Sequence, residues 1–361
     1  MRFRSVLSEA WRDLVTGTSR ALIFSLALVA AVGAAMLADT RTITDVLANA
    51  VAFQTGGGAV HILDAHSVDG QRCDAIGHTA IIAAAGAIRP GQPVTALAMP
   101  STTITVHDVT PGLFDVLTAS APVHPDSDST APGMWVTADL ADTLGLTPGS
   151  TLNTATGDID ISGVFSWPDD GRDRLLGFSL LAPVPASGTF VQCLTSIWPV
   201  DSDANPLLLY AVGIDTADTQ PRLSQLNASM GATFDVATQL HHRPTGWAPL
   251  AASVAGLVVG YAALATRRLE IAAALHARLP RPHLAWVYVL QTTAWTLAAA
   301  IILTAIAAFY TRATGLAIWH DVFLAALRII ASGCLTPPIG ALLATATTRE
   351  KHLFHYFKNR A

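Results

Sequence analysis

ALIFSLALVAAVGAAMLA, residues 21–38, contains no charged side chain and approaches the roughly 20 residues a helix needs to cross a hydrocarbon core. Three later runs have the same character: Ala248 to Thr266, Leu284 to Thr311 and Ile329 to Thr348. With 51% of the 361 residues hydrophobic and 13% charged, bilayer segments are expected. Arg2 and Arg4 ahead of the first run, and Gly33-Ala34-Ala35 within it, could be read as a secretory signal with its cleavage site. The apolar stretch exceeds the roughly 7 to 15 residues of a signal core, which favours an uncleaved anchor.

The cations orient the spans. Residues 1–20, 267–283 and 349–361 carry net charges of +2, +3 and +3. Residues 39–246 hold 21 Asp and no Glu against seven Arg and no Lys, a net −14. By the positive-inside rule both termini and the 267–283 loop are expected to be cytoplasmic, and 39–246 extracytoplasmic, in a multi-pass protein of the plasma (inner) membrane. The predicted order is a cytoplasmic amphipathic elbow helix at 1–20, spans at 21–38, 247–266, 284–311 and 329–348, a cytoplasmic loop at 267–283, a short outer loop at 312–328 and a tail at 349–361. Arg328, beside Trp319, His320 and Asp321, is expected to snorkel to the outer interface.

Residues 39–246 are long enough for one large or two small cores and read as mixed α/β. Thr102 to Val109 and Asp158 to Phe165 alternate as strands, and Leu207 to Ile214 reads as a buried strand. Thr137 is placed to cap a short helix closed by Gly145. Thr216 could cap a second, with Leu223, Leu226 and Met230 on one face. The Pro- and Ser-containing stretches at 119–132 and 182–188 read as loops or subdomain joints.

Cys73 and Cys193 fall in the segment expected outside, where a disulfide is permitted; two separate buried thiols are the alternative. There is no P-loop, zinc-protease or nucleophile-elbow motif, and the first lysine is Lys351. The chain is therefore expected not to bind ATP through a P-loop and to have no Lys-dependent nucleophile outside its tail. Gly56-Gly57-Gly58 reads as a flexible hinge after the first span rather than a phosphate cradle. His61, Asp64, His66, His78 and the His241-His242 pair match no metal-ligand spacing, so no metal is expected.

At the membrane surface, Phe3, Val6, Leu7, Trp11 and Leu14 recur with helical spacing, the pattern of an interfacial helix. Gly256 and Gly260, one turn apart, are a candidate helix-packing site or a by-product of small-residue usage. The loop beginning Arg267-Arg268-Leu269-Glu270-Ile271 and continuing through Leu275 to Arg278 is basic, helix-forming and too short for a domain. Its pattern fits docking on a cytoplasmic partner or resting on anionic lipid equally well.

An R-R-x-E-I-x-x-L stretch directly after the second of four spans, with a long domain between spans one and two, resembles the MacB/FtsX family of ABC transporter permeases (type VII ABC). Val109-Thr110-Pro111-Gly112-Leu113-Phe114 is similar to that family's V-T-P-x-x-F segment, and Leu144-Gly145-Leu146-Thr147-Pro148-Gly149-Ser150 to its L-G-L-x-P-G segment. The resemblance covers most of the chain. It departs at Leu279-Pro280-Arg281-Pro282 and in the tail with Phe354, Tyr356 and Phe357.

The resemblance implies that Arg267, Arg268, Glu270, Ile271, Leu275 and Arg278 belong to a coupling helix on a separate dimeric ATPase, which would hold the ATP and Mg; this chain would hold no cofactor. A second permease subunit, the membrane and an extracytoplasmic protein or a lipid or peptide substrate are the other partners implied, with no nucleic acid. The implied activity is export or extraction of an amphipathic or peptide-like substrate by mechanotransmission. An FtsX-like transmitter controlling a cell-wall hydrolase, and a sensor or adhesion scaffold without an ATPase, are the alternatives.

Overall fold

The computed structural model describes residues 20–79, 81–199, 204–213, 220–315 and 319–349. The elbow helix and the tail, apart from Arg20 and Arg349, lie outside the described residues, as does the cap expected at Thr216. The chain divides into a sheet unit, Ala48–Val236, and a helical unit, Met1–Leu47 with Ala237–Ala361.

The first helix, α1, runs Ala21–Thr55, well past residue 38. No Gly or Pro interrupts 39–55, and the carboxylate that begins this stretch is neutralised rather than left bare. Asp39, 1% exposed, takes both prongs of the Arg243 guanidinium at 2.7 and 3.4 Å. The helix ends at Gly56-Gly57-Gly58, where Gly57 turns at φ +79°.

The chain then forms β1 (Val60–Asp69), α2 (Gly70–Ile76), β2 (Ala84–Pro90), β3 (Val94–Thr95), β4 (Thr103–Val109) and α3 (Gly112–Ser120). These are followed by β5 (Met134–Thr137), α4 (Ala138–Leu144), β6 (Thr151–Thr154), β7 (Gly157–Phe165), β8 (Ser179–Pro183), β9 (Thr189–Ser196), α5 (Asn205–Leu209) and β10 (Arg222–Gln225). Rather than two subdomains, one sheet runs β10-β1-β9-β2-β4-β8-β5-β7-β6, with β3 paired to β4. The β4–β8 and β5–β7 pairs are parallel and the other strand pairs antiparallel.

Two expectations here are corrected. Of the strand expected at Leu207 to Ile214, the described part, which ends at Gly213, is not a strand: Asn205–Leu209 is helical, with Pro206 in its first turn, where the missing N–H costs nothing. A short apolar run does not separate a buried strand from a buried helix by periodicity. Leu223 and Leu226 do not share a helix face either. Arg222–Gln225 pairs antiparallel with β1, Leu223 opposite Leu63, and Pro221 precedes that edge strand where no ladder donor is needed.

The Thr110-Pro111-Gly112 stretch gains a physical account. Thr110 Oγ1 accepts from the Ala87 amide at 2.8 Å and donates to the Asp74 carboxylate at 2.5 Å, which ties β2, α2 and the start of α3 at one atom. Gly86 permits the approach, since a Cβ there would collide with the Gly112–Leu113 backbone. Burial pushes the Asp74 carboxyl above the ordinary carboxylate range, against the Thr110 and Gly112 hydrogen bonds. Gly145, at φ +65°, closes α4 in the left-handed conformation. Thr137, at the head of α4, makes no side-chain cap; its hydroxyl accepts instead from the Ser179 amide at 3.1 Å.

The helical unit continues with α6 (Val236–His241), α7 (Ala248–Ala265), α8 (Arg268–His276), α9 (Arg281–Ala313), α10 (Trp319–Leu335) and α11 (Pro337–Thr347). Among the described residues four helical segments are long and apolar enough to cross a membrane: Ala21–Thr55, Val236–Ala265, Arg281–Ala313 and Trp319–Thr347. The last corrects the outer loop expected at 312–328, because helix already begins at Trp319 and buries Val322, Ala326 and Ile329 on one face. Arg328 is therefore exposed within α10 rather than before a span. The run at 329–348 is not one continuous helix; Pro337-Pro338 withdraws two backbone donors and divides it after Leu335.

Candidate functional site

The loop after α7 folds into α8, whose two sides differ. Ile271 and Ala272 are buried at 1% and 0%, and Leu275 packs against the same core as Ile271. Glu270, Ala273, His276, Ala277 and Arg278 are exposed. Of the residues that the sequence resemblance assigns to partner contact, Ile271 and Leu275 thus point inward and carry the helix, while Glu270 and Arg278 lie outside.

Two arginines at the head of α8 are fixed from neighbouring helices. Arg267 donates to Glu270 at 2.8 Å and to the Gln291 side-chain carbonyl at 3.0 Å, and its guanidinium lies 5.3 Å from the Tyr288 ring. Its side chain is only 11% exposed, so these bonds replace much of its hydration. Arg268 donates to the Tyr261 hydroxyl at 2.7 Å. Both cations are therefore bound to the chain's own residues, and α8 is braced to α7 and α9 before any partner arrives.

Gln291, Tyr288 and Tyr261 were not among the residues picked out in the sequence. The available signal was Gln291, an amide inside the apolar run at 284–311, since a polar side chain at such a position ordinarily has a partner.

Downstream, Arg278 adopts φ +61° just after α8, and Pro280 precedes α9 with Pro282 in its first turn. The separation of the two helices is thus fixed by a left-handed residue and a proline. Beneath α8 lies a cavity of about 390 Å³, lined by Ile271, Leu275, Pro282, Leu284, Leu342 and Arg281 among others.

Gly256 and Gly260 both face the α10–α11 junction. A Cβ at Gly256 would collide with the Gly333 carbonyl, and one at Gly260 with the Pro337 backbone, so α7 meets that junction backbone to backbone. In the sheet unit, Cys73 of α2 and Cys193 of β9 are joined by a disulfide, both fully buried, with Cα atoms 5.9 Å apart. His61 is largely turned inward on β1, whereas Asp64 and His66 are exposed. Among the described residues no group of three or more His, Cys, Asp or Glu could hold a metal ion.

No protein-family model matches the sequence, and no curated protein matches it significantly. Solved structures to which the chain is similar include the periplasmic region of MacB from Actinobacillus actinomycetemcomitans, at 11% identity and a TM-score of 0.36, covering 53% of this chain and 95% of that one. Another is the extracellular domain of the noncanonic ABC-type transporter YknZ from Gram-positive bacteria, at 13% identity and a TM-score of 0.31, covering 46% of this chain and all of the other. By its own architecture the protein is a four-span membrane protein with a mixed α/β unit between its first and second spans.

Proposed function

We propose that the chain is the permease subunit of an ABC transporter complex of the MacB/FtsX type, non-catalytic itself, which passes work from a separate dimeric ATPase to its sheet unit. The observation that carries this reading is α8, a short helix after the second span whose inner side is buried and braced and whose outer side, Glu270, Ala273 and Ala277, is open. A helix that merely rested on lipid would turn its apolar residues to the bilayer, but Ile271 and Leu275 are spent on the chain's own core.

In this reading the termini and α8 are cytoplasmic, the sheet unit is outside, ATP and Mg are bound by the ATPase, and a second permease subunit completes the complex. Movement of the spans drives the sheet unit in export or extraction of an amphipathic or peptide-like substrate. The test is purification of the full chain in mild detergent. A P-loop ATPase is expected to accompany it, and Arg268→Ala with Glu270→Ala is expected to weaken that association and lower the hydrolysis rate. An unchanged association and rate would remove the role assigned to α8. Capture of a secreted cell-wall hydrolase, without ATP-driven substrate release, would assign the output to signalling rather than export.

A further inference from the structure

The glycine turn that ends α1 reads in the sequence as a hinge. In the sheet unit it is a bound joint. Thr55 and Gly56, whose carbonyls have no helical partner, and Gly58 are each held by a side chain from a distant part of the chain. Arg172 Nη2 donates to the Thr55 carbonyl at 3.1 Å, Asn227 Nδ2 to the Gly56 carbonyl at 2.8 Å, and Gln225 Nε2 to the Gly58 carbonyl at 2.6 Å.

Arg172 is the centre of this joint. Its side chain is 1% exposed. It donates to the Asp170 carboxylate from Nε at 2.9 Å and from Nη2 at 2.8 Å, and to the Ser120 carbonyl at 3.4 Å, with its guanidinium 5.0 Å from the Trp167 ring. Thr55 ends α1 and Ser120 ends α3, so one cation sits at the negative ends of two helices. Hydrogen bonds from Arg172 hold the Asp170 carboxyl below the ordinary carboxylate range. Asn227 extends the cluster, since its amide also reaches Asp170 and its carbonyl oxygen accepts from Ser229.

Space around the turn is filled as well. Phe53, one turn before the glycines, is 2% exposed and lies 5.7 Å from Phe234 and 6.1 Å from Trp198, ring centre to ring centre. A Cβ at Gly58 would sit 2.7 Å from the Phe53 ring, and one at Gly57 would sit 3.0 Å from Leu226. The glycines here admit close packing; they do not leave room to swing.

We infer that Arg172, with Asp170, Asn227 and Gln225, is a positioning cluster that fixes the end of α1 to the sheet, so that the helix end and the sheet move as one body. The inference rests on the proposed transmission of ATP-driven motion, which it deepens: displacement of α1 enters the sheet unit through this joint without being absorbed in the glycine turn.

The experiment is amide hydrogen exchange on the full chain in lipid nanodiscs. In the native chain the amides of residues 53–58 are expected to exchange as slowly as those of β1 and β9. Loss of a charged hydrogen bond in Arg172→Gln is expected to speed exchange at 55–58 by about tenfold while leaving β1 and β9 unchanged. Native exchange at 56–58 as fast as in an unprotected peptide would overturn the joint, as would an Arg172→Gln variant with no change. If that variant does not fold, Asn227→Ala is read in the same way, with acceleration at 56–58 expected and its absence overturning the inference.

A second arm separates positioning from stabilisation. With the co-purified ATPase present, Arg172→Gln is expected to keep ATP hydrolysis and lose the ATP-dependent change in exchange across the sheet unit; retention of that change would overturn the transmitting role. The first arm needs no ATPase, so failure of the proposed function and failure of the joint give different results.

Discussion

In the sheet unit, besides the close backbone approach of Gly86 to Gly112–Leu113, segments far apart in sequence are brought together by side chains. The Cys73–Cys193 disulfide joins α2 to β9, Thr110 ties three elements at one hydroxyl, and Arg172 collects the ends of two helices. In the helical unit the closest approaches are made by backbone, at Gly256 against Gly333, Gly260 against Pro337 and Gly340 against Leu257. The difference follows from solvent. A unit folding in water gains from burying apolar area and can add polar and covalent ties, whereas helices in lipid gain little from burial and associate by close van der Waals contact between small residues. Asp39–Arg243 and Arg267–Gln291 are side-chain ties within the helical unit, and each supplies a partner for a buried or nearly buried charge.

That comparison can be broken at either side. The largest effect is expected from Cys73→Ser with Cys193→Ser, which opens a loop of 120 residues in sequence separation. The sheet unit is expected to lose about 5 kcal/mol in the chain-entropy account, read as an earlier unfolding transition, while the helical unit keeps its midpoint. A shift of both transitions together would show that the two units are not held independently. A somewhat smaller effect is expected from Gly260→Val, whose side chain meets the Pro337 backbone rather than a movable side chain; the helical unit is expected to lose about 3 kcal/mol in detergent unfolding. The sheet unit's transition is expected not to move. Were Gly260→Val tolerated, close backbone approach would not be what holds α7 to the α10–α11 junction.

Much of this architecture was legible in the sequence, and the misses have physical causes. The uncharged runs located four spans because hydropathy alone sets the cost of entering a bilayer, but it does not register where a helix stops. Thus α1 continues to Thr55, with Asp39 neutralised by Arg243 about 200 positions away, and Pro337-Pro338 divides a run of unbroken apolar character. Thr103–Val109 and Gly157–Phe165 were readable from alternation, and α4 from Gly145. Asn205–Leu209 was not, because a short helix and a short strand can share the same apolar composition.

At the candidate site, the basic loop and its residues from Arg267 to Arg278 were readable. The side of α8 that faces inward, and the braces from Gln291, Tyr288 and Tyr261, depend on contacts between helices that local pattern does not encode. The glycine turn misled for the same reason. Local sequence registers the freedom of Gly56-Gly57-Gly58, and only the fold brings Arg172, Asn227 and Gln225 to remove it.

Site-specific photo-crosslinking of the full chain in its native membrane reads directly which side of α8 meets a partner. A photoreactive residue at Ala273, on the open side, is expected to form an adduct with a P-loop ATPase, and one at Ile271, on the buried side, only adducts within the chain. An ATPase adduct from Ile271, or none from Ala273 while the complex remains assembled, would contradict the assignment of α8 as the coupling helix.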